Sequence, residues 1–186
     1  MNSTRSKTLT AGAIAGLMAA GVAGVALGAP AVRNADPGTL DHGRVMPVRD
    51  YSVSAGWGHS SGPHAGRHHN GVDFAADMNE PVYAAEAGKI VHAGNAGGYG
   101  KMLEIRTDDG RHLIYGHLNR IAVKKGDQVK AGKRVGAVGS TGHSTGPHLH
   151  FEVRKNGKKA VSPNKYLGLG KDGLTKLEIQ MKRFDR

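Results

Sequence analysis

Two histidines one residue apart, His148 and His150, stand in the run Ser144-Thr145-Gly146-Pro147-His148-Leu149-His150-Phe151-Glu152. With Val153 and then Asn156-Gly157 following, the run reads as a strand entering a hairpin, so both imidazoles leave one face. Side chains two apart on a strand start roughly 6 to 7 Å from each other, so one imidazole can bind a metal ion while its neighbour stands beside a bound water. A divalent site of the zinc type that does chemistry needs three protein groups and one position left for water or substrate. The missing groups are offered about eighty residues upstream, in His69-Asn70-Gly71-Val72-Asp73. On a straight strand the side chains of His69 and Asp73 would be roughly 13 Å apart, too far to share an ion. The backbone must therefore bend, and Asn70-Gly71 predicts a turn using the positive φ that Gly adopts without cost and Asn tolerates.

Three ordered motifs carry a resemblance: His69-x-Gly71-x-Asp73, then Tyr115-Gly116-His117-Leu118, then Thr145-Gly146-Pro147-His148-Leu149-His150-Phe151-Glu152. Together with Gly56-Trp57-Gly58 and Pro81-Val82-Tyr83-Ala84-Ala85, they resemble the lysostaphin-type (LytM-like) zinc endopeptidases, which are peptidoglycan hydrolases, over roughly residues 47–167. The resemblance implies one Zn²⁺ per chain held by His69, Asp73 and His150, with water in the fourth position. It also implies that His117 and His148 are catalytic histidines that do not touch the metal. Some relatives of this kind have lost ligands and only activate other hydrolases; here every matching position is filled, which favours an active enzyme.

Elementary chemistry agrees with those roles. Zinc lowers the pKa of its water toward about 7 and polarises a carbonyl, and histidine can take the water proton, hand it to a leaving amine or support an oxyanion. His117 and His148 carry those tasks jointly. Glu152 shares the strand face of His150, and the resemblance gives it no catalytic role, so a place behind the ligand is kept only as the lesser of its readings. Tyr115 lies two before His117; on a regular strand it shares that face and either orients substrate or packs. The chain has 11 histidines, and His42, His59, His64, His92, His112 and His143 match no motif, so they are expected to be structural or solvated. His68 is expected to point away from the ligands.

The surrounding chain suits a secreted, monomeric, single-domain enzyme. Residues 1–31 carry Arg5 and Lys7, then an uncharged run rich in Ala, Gly, Val and Leu, and read as a signal peptide cleaved near residues 28–31, a retained membrane anchor being the competing reading. Residues 32–46 read as a linker, 47–167 as the endopeptidase domain, and 168–186 as a tail with a helical stripe at Leu174, Leu177, Met181 and Phe184. No cysteine is present, which excludes disulfides and thiolate metal sites. Loss of Arg5 and Lys7 with the leader would lower the net charge from +11 to +9. Such a surface favours anionic wall polymers; the bases lack the interleaved aromatics of a nucleic-acid groove, so no nucleic acid is expected.

The coarse structure reads as all-β, a compact antiparallel sheet or sandwich with an open substrate groove and a short C-terminal helix. Strands are expected over Val82 to His92, Lys101 to Thr107, Arg111 to Leu118 and Phe151 to Lys155, with hairpin turns at Asp108-Asp109-Gly110 and Asn156-Gly157. Short strands with tight turns are expected from Val123 to Gly136. The function expected is hydrolysis of stem or cross-bridge peptides of peptidoglycan; a non-catalytic wall-binding or activator module, and a zinc-dependent adhesion protein, are the rivals.

Overall fold

A computed structural model describes residues 40–59, 66 and 68–170; the expected leader, the tail stripe and His64 lie outside the described residues. The strands, in chain order, are β1 Ser52–Ala55, β2 Val72–Ala75, β3 Pro81–Tyr83, β4 Gly88–Asn95, β5 Lys101–Arg106 and β6 Arg111–Leu118, followed by β7 Arg120–Ile121, β8 Gln128–Val129, β9 Arg134–Ala137, β10 His148–Lys155 and β11 Lys159–Val161. One short helix, α1 Pro163–Leu167, follows. An eight-stranded sheet runs β1-β2-β10-β6-β5-β4-β8 with β11 also beside β10, and a three-stranded sheet runs β3-β9-β7. Every pairing is antiparallel. Among the described residues no helix is long and apolar enough to cross a membrane.

Alternation on β10 builds both the core and the site. Leu149, Phe151 and Val153 are fully buried and join the core with Phe74, Leu103, Ile105, Leu113 and Tyr115 from neighbouring strands. His148, His150 and Glu152 therefore stand on the opposite face. Edge-on contacts of Tyr115 with Phe151, at 5.2 Å between ring centroids, and of Tyr51 with Phe74, at 4.9 Å, fill the apolar layer. Val82, Val135 and Val138, on or beside the smaller sheet, close it from the other side.

The expected turns are present. Asn156 and Gly157 both take positive φ between β10 and β11, as the two central residues of a tight hairpin turn require, and Asp108-Asp109-Gly110 joins β5 to β6. Three boundaries differ from expectation. The apolar run Val82 to His92 is two strands, because the chain leaves the small sheet after Tyr83 and enters the large one at Gly88. β10 begins at His148, as the shared face read for His148 and His150 requires, and so is three residues longer than the run Phe151 to Lys155, because its first half pairs with β2. Val45 and Met46 are buried, so the packed unit begins before the expected boundary at residue 47.

Candidate metal centre

Strand register brings the distant motifs together. His150 on β10 lies opposite Asp73 on β2 and opposite Gly116 on β6. His69 stands just before β2 in an irregular segment tied down by the Gly58 N–H, which donates to the His69 carbonyl at 2.9 Å. The bend between His69 and Asp73 is made without the positive φ expected at Asn70-Gly71. Gly71 is required there for a different reason. A Cβ at that position would sit 2.6 Å from the Phe151 carbonyl oxygen and 2.8 Å from the His150 ring, so only a residue with no side chain lets the bend pass this close to β10.

Three donor atoms converge. His69 Nε2 is 3.1 Å from Asp73 Oδ1 and 3.1 Å from His150 Nδ1, and His150 Nδ1 is 2.7 Å from the same carboxylate oxygen. All three residues are buried. Their outer nitrogens are engaged elsewhere: His69 Nδ1–H donates to the Gly56 carbonyl at 2.8 Å, and His150 Nε2–H donates to Glu152 Oε1 at 2.9 Å. A neutral imidazole has one N–H, so those two acceptors leave His69 Nε2 and His150 Nδ1 with lone pairs aimed at Asp73. Two imidazole nitrogens and one carboxylate oxygen are a zinc-type donor set, and His69, Asp73 and His150 are the cluster among the described residues able to hold an ion.

The electrostatics also call for a cation. Burial alone would raise the pKa of Asp73, but hydrogen bonds with His150 and His69 outweigh it and hold the carboxyl well below the usual range. Burial alone would lower the pKa of His150, yet hydrogen bonds to Asp73 and Glu152 push it up to about 9. The His150 ring thus lies between two carboxylates that favour positive charge, a field that a divalent ion would meet with more charge.

His117 and His148 flank this cluster. Their ring centroids are 4.6 Å apart, and that of His117 is 5.8 Å from that of His150. His148 Nδ1–H donates to the Gly146 carbonyl at 2.9 Å, while its Nε2 lies 3.9 Å from Asp73 Oδ1. His117 Nδ1–H donates to the Thr141 carbonyl at 2.8 Å. Burial pushes the pKa of His117 down to about 4, the Thr141 hydrogen bond offsetting this only in part, so its imidazole is neutral at physiological pH.

Tyr115 does not reach the site. It is fully buried in the core, with its hydroxyl accepting a hydrogen bond from the Ala85 N–H at 2.8 Å, so of the two roles the sequence left open, orienting substrate or packing, the structure has the second. The reason is a bulge: from Leu103 to Lys101 on β5 the chain advances two residues, while the partners on β6 advance three, from Tyr115 to Leu118. The extra residue breaks the alternation that would have put Tyr115 and His117 on one face.

The remaining histidines behave as expected where they are described. His68 is exposed and packs edge-on against Trp57 at 4.8 Å, and His112 pairs with Glu104 at 2.6 Å. Sequence reasoning missed Tyr99 and Arg154, which close around Glu152: Tyr99 Oη–H donates to Glu152 Oε1 at 2.7 Å and Arg154 Nε–H to Glu152 Oε2 at 2.7 Å. Arg154 was visible two residues beyond Glu152 on the same strand face, whereas nothing near Tyr99 in sequence announces its distant partner.

The chain is similar to several known proteins. Lysostaphin of Staphylococcus simulans is 42% identical over 138 residues, covering 69% of this chain and 28% of its own length. DD-carboxypeptidase/endopeptidase Mpg of Neisseria meningitidis serogroup B is 43% identical over 116 residues, covering 61% of this chain and 27% of its own length. The chain thus spans less than a third of these curated relatives. Lipoprotein NlpD of Yersinia enterocolitica is 41% identical over 96 residues, 51% of this chain and 97% of that protein. Among solved structures, the catalytic domain of the antimicrobial peptidase lysostaphin from Staphylococcus simulans superposes with a TM-score of 0.60 at 40% identity, over 63% of this chain and 92% of that one. The family model described as Peptidase family M23 matches residues 67–163, a stretch that begins just before His69 and takes in Asp73, His117, His148 and His150. On that match and those donors, the chain belongs to peptidase family M23.

Proposed function

We propose that this chain is a secreted zinc-dependent endopeptidase that hydrolyses peptide bonds in the stem or cross-bridge peptides of bacterial peptidoglycan. The observation that carries the reading is the convergence of His69 Nε2, Asp73 Oδ1 and His150 Nδ1 with two further histidines alongside that have no place among the three donors. Bound there, zinc supplies Lewis acidity and a water of lowered pKa. The protein's own residues do the rest. His117 and His148 each have one ring nitrogen anchored on a backbone carbonyl, which leaves the other free to accept a proton from the attacking water, return it to the leaving amine or stabilise an oxyanion. The Thr141 carbonyl on His117, and the Gly146 carbonyl with the Ser144 hydroxyl 3.3 Å from the same nitrogen on His148, keep both rings placed before substrate arrives.

The basic surface adds retention on anionic wall polymers. Lys89, Arg106 and Lys125 line one hollow far along the sheet order from the metal-centre strands, and Lys89 and Arg106 are cross-strand neighbours of like charge, an arrangement that an anion relieves. The test is metal analysis of the purified protein together with its action on purified peptidoglycan. The reading expects one zinc per chain and new amino termini released. Zinc without new termini would turn the assignment to an activator or adhesion module, and no zinc would remove it.

A further inference from the structure

Glu152 is the one carboxylate in the centre that is not a donor to the metal cluster, and it is almost fully buried, 1% exposed. A buried carboxylate is strongly unfavourable unless its oxygens are satisfied. Here Oε1 accepts from His150 Nε2–H at 2.9 Å and from the Tyr99 hydroxyl at 2.7 Å, while Oε2 accepts from Arg154 Nε–H at 2.7 Å. Arg154 closes the ring by donating a second hydrogen bond to the Tyr99 hydroxyl oxygen at 2.9 Å.

The two histidine ligands are thus held by unlike partners. His69 leans on a neutral backbone carbonyl, that of Gly56, whereas His150 leans on a full negative charge. An ionised carboxylate can only accept, so it demands the proton on Nε2 and leaves Nδ1 as a lone pair; it also makes His150 the more electron-rich ligand. Tyr99 and Arg154 in turn keep Glu152 from rotating away. Tyr99 sits at the end of a 3-10 turn, Gly97–Tyr99, with its ring centroid 5.7 Å from that of His150. The next residues after that turn pack on Thr141: a Cβ on Gly100 would fall 2.4 Å from it, and Lys101 N–H donates to its hydroxyl at 2.9 Å. The Thr141 carbonyl is the group that orients His117. One turn therefore touches the supports of both a metal ligand and a proton-transfer histidine.

We propose that Glu152, held by Tyr99 and Arg154, is a positioning residue that selects the tautomer of His150 and sets the strength with which the site holds its metal. The inference rests on the zinc reading above. It is tested on the full protein by chelator competition for zinc, with nitrogen NMR of the His150 ring in the zinc-loaded state. Glu152→Gln keeps the size of the side chain and removes its charge; it is expected to weaken zinc binding about 10- to 100-fold and to lose the single Nε2–H form of His150, with the fold retained by circular dichroism. Tyr99→Phe, which removes only the hydroxyl, is expected to weaken zinc severalfold. Asp127→Asn, which alters the acceptor of the Lys124 N–H in the loop between β7 and β8, serves as the control and should bind zinc as the parent does.

A folded Glu152→Gln protein with parental zinc affinity and a single His150 tautomer would overturn the proposal. Should that variant not fold, Tyr99→Phe decides: weaker zinc supports the proposal and parental affinity sinks it. If the parent itself binds no zinc, the underlying functional reading fails as well, whereas a zinc-binding parent indifferent to residue 152 defeats only this inference.

Discussion

Tyr115 and His117, two residues apart on β6, project to opposite sides of the sheet: the tyrosine hydroxyl meets the Ala85 N–H inside the core, and the histidine ring lies 4.6 Å from that of His148 on the site face. Gly116 faces His150 across the strands, so regular alternation would have sent His117 inward with Tyr115. The bulge against β5 and the left-handed backbone of His117, φ 59°, turn it outward instead. A non-glycine residue in that conformation is uncommon, and strain of this sort concentrates where geometry serves function.

The division between Tyr115 and His117 separates activity from stability. Tyr115→Phe should leave peptidoglycan turnover unchanged and cost about 1 kcal/mol, since the Ala85 N–H is left without its acceptor. Denaturant unfolding with a parallel wall-digestion assay checks both halves; a large loss of turnover at unchanged stability would restore a substrate role for the tyrosine.

Ligands and proton carriers should part company in a variant set. His69→Ala, Asp73→Ala and His150→Ala are each expected to bring zinc and turnover to background, because three protein ligands are the minimum for such a centre. His117→Ala and His148→Ala should retain zinc while turnover drops about 10²- to 10⁴-fold, the range for removing a general acid or base. Metal content measured beside turnover on all five proteins reads this out; loss of zinc from the His148 variant would move it into the ligand set.

Gly71→Ala tests the close approach of the His69 bend to β10. The added methyl must displace the Phe151 carbonyl or the His150 ring, both under 3 Å away, so the variant should lose about 1–3 kcal/mol of stability and bind zinc more weakly. Thermal unfolding with and without zinc measures it. A variant with unchanged melting and zinc affinity would show that the bend has room to spare.

Zinc binding should expel a proton from His150. With its pKa at about 9 in the metal-free fold, against an ordinary value of 6.5, the ring is protonated at pH 7.5 and must lose Nδ1–H to become a ligand. Calorimetry in buffers of different ionisation enthalpy should find about one proton released from this group at pH 7.5 and progressively fewer above pH 9. The same shift bears on the metal-free fold: a raised folded-state pKa stabilises fully below 6.5, and that contribution is lost as pH rises through about 9. Chelator-treated protein should therefore melt earlier across that window, and by less in His150→Gln.

The residue types and their order carried most of the site. His69, Asp73, His148 and His150 stood out because metal and proton chemistry accept few side chains, His117 was singled out only through the family resemblance, and the alternation of β10 was visible in Leu149, Phe151 and Val153 against His148, His150 and Glu152. Hairpin turns were equally local, since Asn156-Gly157 states its own backbone preference. What depended on long-range packing was not legible. The bulge that separates Tyr115 from His117 arises from register with β5, and the need for Gly71 comes from a carbonyl eighty residues away on β10. Tyr99 reaches Glu152 across a separation of 53 residues. A sequence names the groups able to do chemistry, whereas close approach, strand register and the partners of buried charges exist only once the chain has folded back on itself.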